Sequence, residues 1–187
     1  IFSTRFGNNN NRPDLSTTGF NIDVCNRILF AGWADSSVPN GTSTNNLPIT
    51  ENAYQSSTDG SDFYLAVFDG NMNSLEYATF MGGPQSREHV DGGTSRFSKS
   101  GILYQAICAG CFNNSDFPVT DNAYSTVNNS SCNALALKMQ IGTNTTIADF
   151  SAPSVLCLGE TLTVNNYSTG YDNLLWTLEP LGLSSTD

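Results

Sequence analysis

The chain has 187 residues, with 17 acidic and 7 basic side chains, a formal net charge of -10 and only 13% charged residues. Phosphate binding needs clustered Lys and Arg, so this balance argues against a nucleic-acid surface. No apolar run approaches the roughly 20 residues a membrane-spanning helix needs, so the chain is not expected to span a membrane itself.

Residues 1–7, Ile-Phe-Ser-Thr-Arg-Phe-Gly, repeat the pattern of residues 76–82, Glu-Tyr-Ala-Thr-Phe-Met-Gly. They read as the end of an earlier repeat. The Asn-rich tract 8–11 is a loop by its turn chemistry. From Gly19 onward the strand signals come in short bursts. Residues 19–23 alternate apolar and polar, 27–33 are apolar and end in Trp33, and 63–68 and 75–81 follow. Each is of strand length and flanked by Gly, Asn, Asp or Ser. A long loop over 34–60, with Leu47-Pro-Ile-Thr50 inside it, separates the second burst from the third. No window offers a capped amphipathic helix.

The series then returns about 70 residues later, and an internal repeat outranks other sequence signals. Gly101-Ile-Leu-Tyr-Gln-Ala-Ile107 answers to Arg27-Ile-Leu-Phe-Ala-Gly-Trp33. Phe117-Pro-Val-Thr-Asp-Asn-Ala-Tyr124 answers to Leu47-Pro-Ile-Thr-Glu-Asn-Ala-Tyr54, and residues 133–140 answer to 62–69. The expected fold is all-β, with four antiparallel strands in each repeat of about 70 residues, which is the make-up of a β-propeller blade. One blade cannot bury both of its faces, so blades need neighbours. The expected divisions are 1–18 as the end of a preceding blade, 19–93 as one blade and 94–142 as the last blade. Residues 142–146, small and polar, form a linker. Beyond it, 148–164 reads as two strands joined at Gly159, and 171–178 as another with Trp176 as core anchor. Residues 143–187 therefore read as the start of a β-sandwich that is incomplete in this chain.

Five cysteines, little Lys and much Asn suggest an extracytoplasmic protein in which disulfides persist. Cys108-Ala-Gly-Cys111 admits three readings. A redox dithiol would need a helix N-terminus to lower a thiol pKa. A zinc site would need two further ligands, for which Cys132 and His89, the one histidine, are available. A structural disulfide, Cys111 to Cys132, would pin the second long loop, and this reading is preferred. Cys25 precedes the strand equivalent to the one ending at Cys108, so a link between blades is a further candidate. Cys157 would pair outside this chain.

His89 stands in a turn with Glu88 and Asp91, with Ser86 and Ser95 as conceivable nucleophiles; a solvated or structural histidine is the plainer reading. Asp59, Asp62, Asp116 and Asp121 could hold a structural calcium, which takes several oxygen ligands. No cofactor is otherwise expected. Phe30, Trp33, Phe63, Tyr64, Phe68, Tyr77 and Phe80 read as blade-to-blade core, with a sugar-binding face as the alternative.

Residues 28–33, 47–54, 62–68 and 75–83, together with 89–97, 102–111 and 116–120, resemble the SBBP-type β-propeller repeat of bacterial surface proteins. The pattern is similar to that of large gliding-motility-associated surface proteins exported by the type IX secretion system. In that group a PKD-type domain follows the repeats, and Ala148-Asp-Phe150 and Trp176 fall where a PKD-like domain would begin. The resemblance implies a non-enzymatic secreted or outer-membrane-surface protein, working in adhesion or as a cell-envelope scaffold. Its expected partners are cell-envelope or secretion-machinery proteins and surface glycans. A carbohydrate-binding or hydrolytic propeller is the alternative, and an export substrate held by its secretion machinery is a third reading.

Overall fold

Every regular element among the described residues is a β-strand, as short apolar bursts between turn-formers dictate. The computed structural model describes residues 3–8, 11–91, 95–141, 146, 148–168, 170, 173–179 and 181–186. The chain divides into two compact units, Ile1–Thr143 and Asn144–Asp187.

In the first unit, β1 (Ser16–Ile22), β2 (Ile28–Trp33), β3 (Phe63–Phe68) and β4 (Leu75–Met81) form one antiparallel sheet in the order β1-β2-β3-β4. The β1–β2 turn is built by Asp23. Its Oδ1 accepts hydrogen bonds from the backbone N–H of Cys25 and Arg27, and Asn26 takes a positive φ of 62°. Asn tolerates that left-handed conformation better than other side chains. A second antiparallel sheet contains β5 (Arg96–Phe97), β6 (Ile102–Ala109) and β7 (Asn133–Gln140), in the order β5-β6-β7. β2 and β6, and β3 and β7, are thus the equivalent strands of the two repeats.

The first sheet is a middle layer. One face packs Leu29, Phe63, Leu65, Val67, Tyr77 and Met81 with Leu103, Ile107 and Phe117 of the second repeat. The other packs Tyr64, Ala66, Phe68, Ala78 and Phe80 with Leu47, Ile49 and Leu15. β3 is buried at every residue. A strand covered on both faces reads as a continuous apolar run, which Phe-Tyr-Leu-Ala-Val-Phe is. The long loop is itself stitched to β4. Thr50 N–H donates to the Ala78 carbonyl at 3.2 Å, and Phe80 N–H to the Gln55 carbonyl at 3.1 Å.

Several expectations are corrected. β1 begins at Ser16, so a boundary after residue 18 cuts a strand. Among the described residues the second repeat has three strands, not the expected four. Residues 3–8 form no strand; Phe6 instead lies edge-on to Phe30 with ring centroids 5.4 Å apart, and against Tyr64 and Phe68. The sheets described are small and open, as fewer than three blades would leave them. In the second unit, β8 (Phe150–Ser151) pairs with β9 (Asn165–Asn166), and β10 (Leu175–Leu178) with β11 (Leu183–Thr186). The expected strands meeting at Gly159 are absent, since residues 152–164 lie in no strand. Trp176 is half-buried, edge-on to Phe150 at 5.6 Å.

Candidate functional site

Antiparallel pairing brings the end of β2, the start of β3 and the end of β4 to one edge of the first sheet, in the register Trp33↔Phe63↔Met81. The end of β6 and the start of β7 meet likewise, with Ala109 opposite Asn133. The connecting segments at these strand ends carry three groups of polar side chains.

The first group is acidic. Asp62, just before β3, and Glu88, in the segment after β4, are fully buried. Asp62 Oδ2 accepts from Gln55 Nε2 at 3.3 Å, and Glu88 Oε1 accepts from the Ser86 hydroxyl. Asp116, from the second repeat's long loop, accepts through Oδ2 from the N–H of Gln85 at 2.8 Å and of Ser86 at 3.2 Å. Burial pushes Asp62 up to about 7, with the negative charges of Asp59 and Asp116 adding to it. Burial likewise pushes Glu88 up to about 8, with Asp62 and Asp59 adding. Asp59 is raised by burial and by Asp116. Charges of one sign in a poorly solvated place each disfavour the other's ionisation. Of the four aspartates proposed for calcium, Asp59, Asp62 and Asp116 are near enough to disfavour one another's ionisation, but among the described residues no three carboxylates bring their oxygens within 4.8 Å of one another. Asp121 is exposed and lines a groove along β7 with Leu135 and Leu137. Glu88 was read only as a neighbour of His89. No local signal marks it, because Ser61, Asp62 and Asp59, which surround it, lie far earlier in the chain, at the head of β3.

The second group is an ion pair. Arg87 Nη1 donates to both oxygens of Asp35 at 3.0 Å and to the Ser37 hydroxyl, and its guanidinium lies 3.9 Å from the Phe112 ring centre. Burial opposes ionisation of Asp35, but hydrogen bonds from Ser37 and the Arg87 charge hold it below the ordinary carboxylate range.

The third group joins sulfur and imidazole. His89 and Cys108 exchange backbone hydrogen bonds of 3.0 and 2.9 Å. The ligand atoms of His89, Cys108 and Cys111 lie within 4.8 Å of one another. Cys111, however, is joined to Cys132 by a disulfide, and a bonded sulfur is not the thiolate a zinc site needs. Cys108 is a free thiol whose pKa burial and then the Asp91 charge push up, the reverse of what activates a redox cysteine. Cys25 and Cys157 are free and exposed. No bond links Cys25 to Cys108, since Cys25 sits in the exposed β1–β2 turn while Cys108 faces His89. His89 Nε2 is 3.4 Å from Asp91, and its ring centre is 5.8 Å from that of Trp33. Neither serine stands on the imidazole, for the Ser86 hydroxyl donates to Glu88 and Ser95 Oγ accepts from Gln105 Nε2 at 2.8 Å. Trp33, Asp35, Arg87, His89 and Phe112 share the lining of one cleft of about 330 Å³.

Of the aromatics expected between blades, Phe63, Tyr77 and the partly buried Trp33 pack against the second repeat, whereas Tyr64, Phe68, Phe80 and the partly buried Phe30 pack against the first repeat's own loop. Comparison with protein-family models, with curated proteins and with solved structures finds no match to this chain.

Proposed function

We propose that the first unit is a stretch of propeller-type blades in a secreted or cell-surface repeat protein that acts without catalysis, as an adhesive or scaffolding element of the cell envelope. The observation that carries this reading is the layering. β3 is covered on one face by the second repeat and on the other by its own long loop, so each repeat depends on its neighbour for a core. The Cys111–Cys132 disulfide supports an oxidising compartment. The links to gliding motility and type IX secretion, and a PKD-like nature for the second unit, rest on the sequence resemblance. The test is labelling of the protein on intact cells, followed by attachment and gliding assays of a deletion strain. Surface labelling with loss of attachment supports the reading; recovery only from the cytoplasm with all five cysteines reduced overturns it.

The cleft favours one second reading. An aromatic wall at Trp33 beside Asp35 and Arg87 offers a stacking face next to hydrogen-bonding groups, the combination a sugar ring uses. Saturable glycan binding lost on Trp33→Ala would establish it, and no binding across a broad glycan panel would remove it.

A further inference from the structure

We propose that His89, Cys108 and Cys111 form a zinc site that the Cys111–Cys132 disulfide blocks in the oxidised protein and that reduction of this bond opens. The site goes beyond the scaffolding role and does not depend on it.

The first observation is convergence. Among the described residues, these three are the one group of His, Cys, Asp or Glu side chains whose ligand atoms all lie within 4.8 Å of one another. His89 Nδ1 stands 4.0 Å from Cys111 Sγ. A tetrahedral zinc, with bonds of about 2.0 Å to nitrogen and about 2.3 Å to sulfur, sets its ligand atoms about 3.5–3.8 Å apart. Side-chain shifts of about 1 Å or less therefore close the set around one ion.

The second observation is that the backbone already holds these ligands together. His89 and Cys108 face each other across an antiparallel bridge and exchange hydrogen bonds of 3.0 and 2.9 Å. Cys111 follows through a Cys-x-x-Cys turn, a spacing that lets two sulfurs share one zinc. Gly110 makes that turn at a φ of 67°, and a Cβ there would stand 2.5 Å from the Asn114 carbonyl oxygen.

The third is the orientation of the imidazole. Its Nδ1 faces the Cys111 sulfur, while its Nε2 lies 3.4 Å from Asp91 Oδ2. A carboxylate on the outer nitrogen keeps the ring proton there and leaves the inner lone pair for a metal.

The donors are nitrogen and sulfur, a set that suits zinc and not a hard cation. In the oxidised chain the Cys111 sulfur is spent on Cys132. A dithiol reductant passes two electrons to that bond and leaves as a disulfide, and Cys111 and Cys132 each take up a proton. Zinc then displaces the protons of the thiols it binds. The fourth place opens on the cleft that His89, Cys111 and Cys132 line, where the freed Cys132 fills it, or water in a chain lacking that thiol. The chain thus holds zinc where thiols stay reduced and gives it up for the disulfide where they do not.

The test is anaerobic titration of the full chain with Co²⁺, then competition with Zn²⁺. It compares the oxidised wild type with the wild type reduced and freed of reductant. The expected result in the reduced protein is one ion per chain, with a thiolate-to-cobalt charge-transfer band that Zn²⁺ abolishes. Cys132→Ser, which leaves Cys111 a thiol, should bind without prior reduction. Reduced Cys108→Ser and His89→Gln should bind at least about tenfold more weakly. Cys25→Ser, at an exposed free cysteine, should bind as the wild type does. A reduced wild type without the band overturns the proposal whether or not its second loop stays folded, since metal binding would itself draw the ligands together. So does an oxidised wild type that binds as tightly as the reduced one. Binding left undiminished by Cys108→Ser and His89→Gln overturns it too, and would place the metal on the exposed cysteines.

Discussion

β3 and β7 hold the same position in the two copies of the repeat, yet one is buried at all of its residues and the other at none. β7 turns Leu135, Leu137 and Met139 toward the shared core and leaves Ala134, Ala136, Lys138 and Gln140 exposed. Its sequence alternates accordingly, where that of β3 does not. The loops differ in the same way. Thr50 is bonded to β4 through its backbone and through Oγ1. The matching Thr120 is exposed in a groove beside β7 to which no further strand pairs among the described residues. A strand in place of the disulfide holds the first loop, and Cys111–Cys132 holds the second. One repeat pattern thus serves a middle layer or an outer layer, according to which faces a neighbour covers.

Core truncations in the two strands break this comparison most directly. Leu65 is fully buried in β3, so Leu65→Ala should cost about 2–5 kcal/mol by denaturant unfolding. Leu137→Ala, at a partly buried site in β7, should cost about 1 kcal/mol, because less area returns to water. Equal losses would mean that the two sheets are equally covered in solution.

The disulfide comes next. Cys132→Ser opens a link between residues 21 apart, worth about 3 kcal/mol in the chain-entropy model. Limited proteolysis of the reduced protein should nick the loop over 111–132 before the loop over 34–60. Cleavage in the opposite order would show that β4 is the weaker fastening.

The acidic cluster gives a pH test of the first sheet's edge. Asp62 and Glu88 rise from ordinary values of 3.8 and 4.5 to about 7 and about 8. In that interval the folded protein binds more protons than the unfolded chain. Their contribution is therefore fully present below about pH 4 and lost as pH rises through 7 and 8. The groups facing them are Asp59 and Asp116, which oppose ionisation, and the more distant Arg87. Metal-free unfolding curves should show stability falling from pH 4 to pH 8, and the fall should flatten in Glu88→Gln. A flat wild-type profile would contradict the burial of these acids.

The finest comparison sets Thr50→Val against Thr120→Val. The first removes side-chain hydrogen bonds to the Ala78 N–H and carbonyl, worth about 1 kcal/mol. The second, at an exposed position, should change stability by less than about 0.5 kcal/mol. A measurable loss in Thr120→Val would mean that a strand does occupy the groove beside β7.

Much of the fold was legible because strand formation is local. Period-two alternation, continuous apolar runs and flanking turn residues all lie within a few positions of each other, and the second copy made the reading redundant. The candidate site was only half legible. Asp59, Asp62 and Asp116 were visible as loop acids, but nothing near Glu88 distinguishes it from a solvated glutamate. Its burial comes from Ser61, whose carbonyl accepts its N–H at 3.4 Å, and from Ser86 and Asp62, which the fold delivers to it. The pairing of Phe150 with Asn166 was hidden for the same reason, since weak short strands are chosen by their partners and not by their own residues.

By itself, then, the sequence determined the all-β class, the two-fold repeat and the positions of its central strands, since these depend on spacing along the chain. The tertiary structure alone decided which repeat lies inside and which outside, that the second sheet has three strands among the described residues, and that Asp62 and Glu88 come together at Gly82. Those outcomes depend on which faces and loop ends come together across distances that no local pattern encodes.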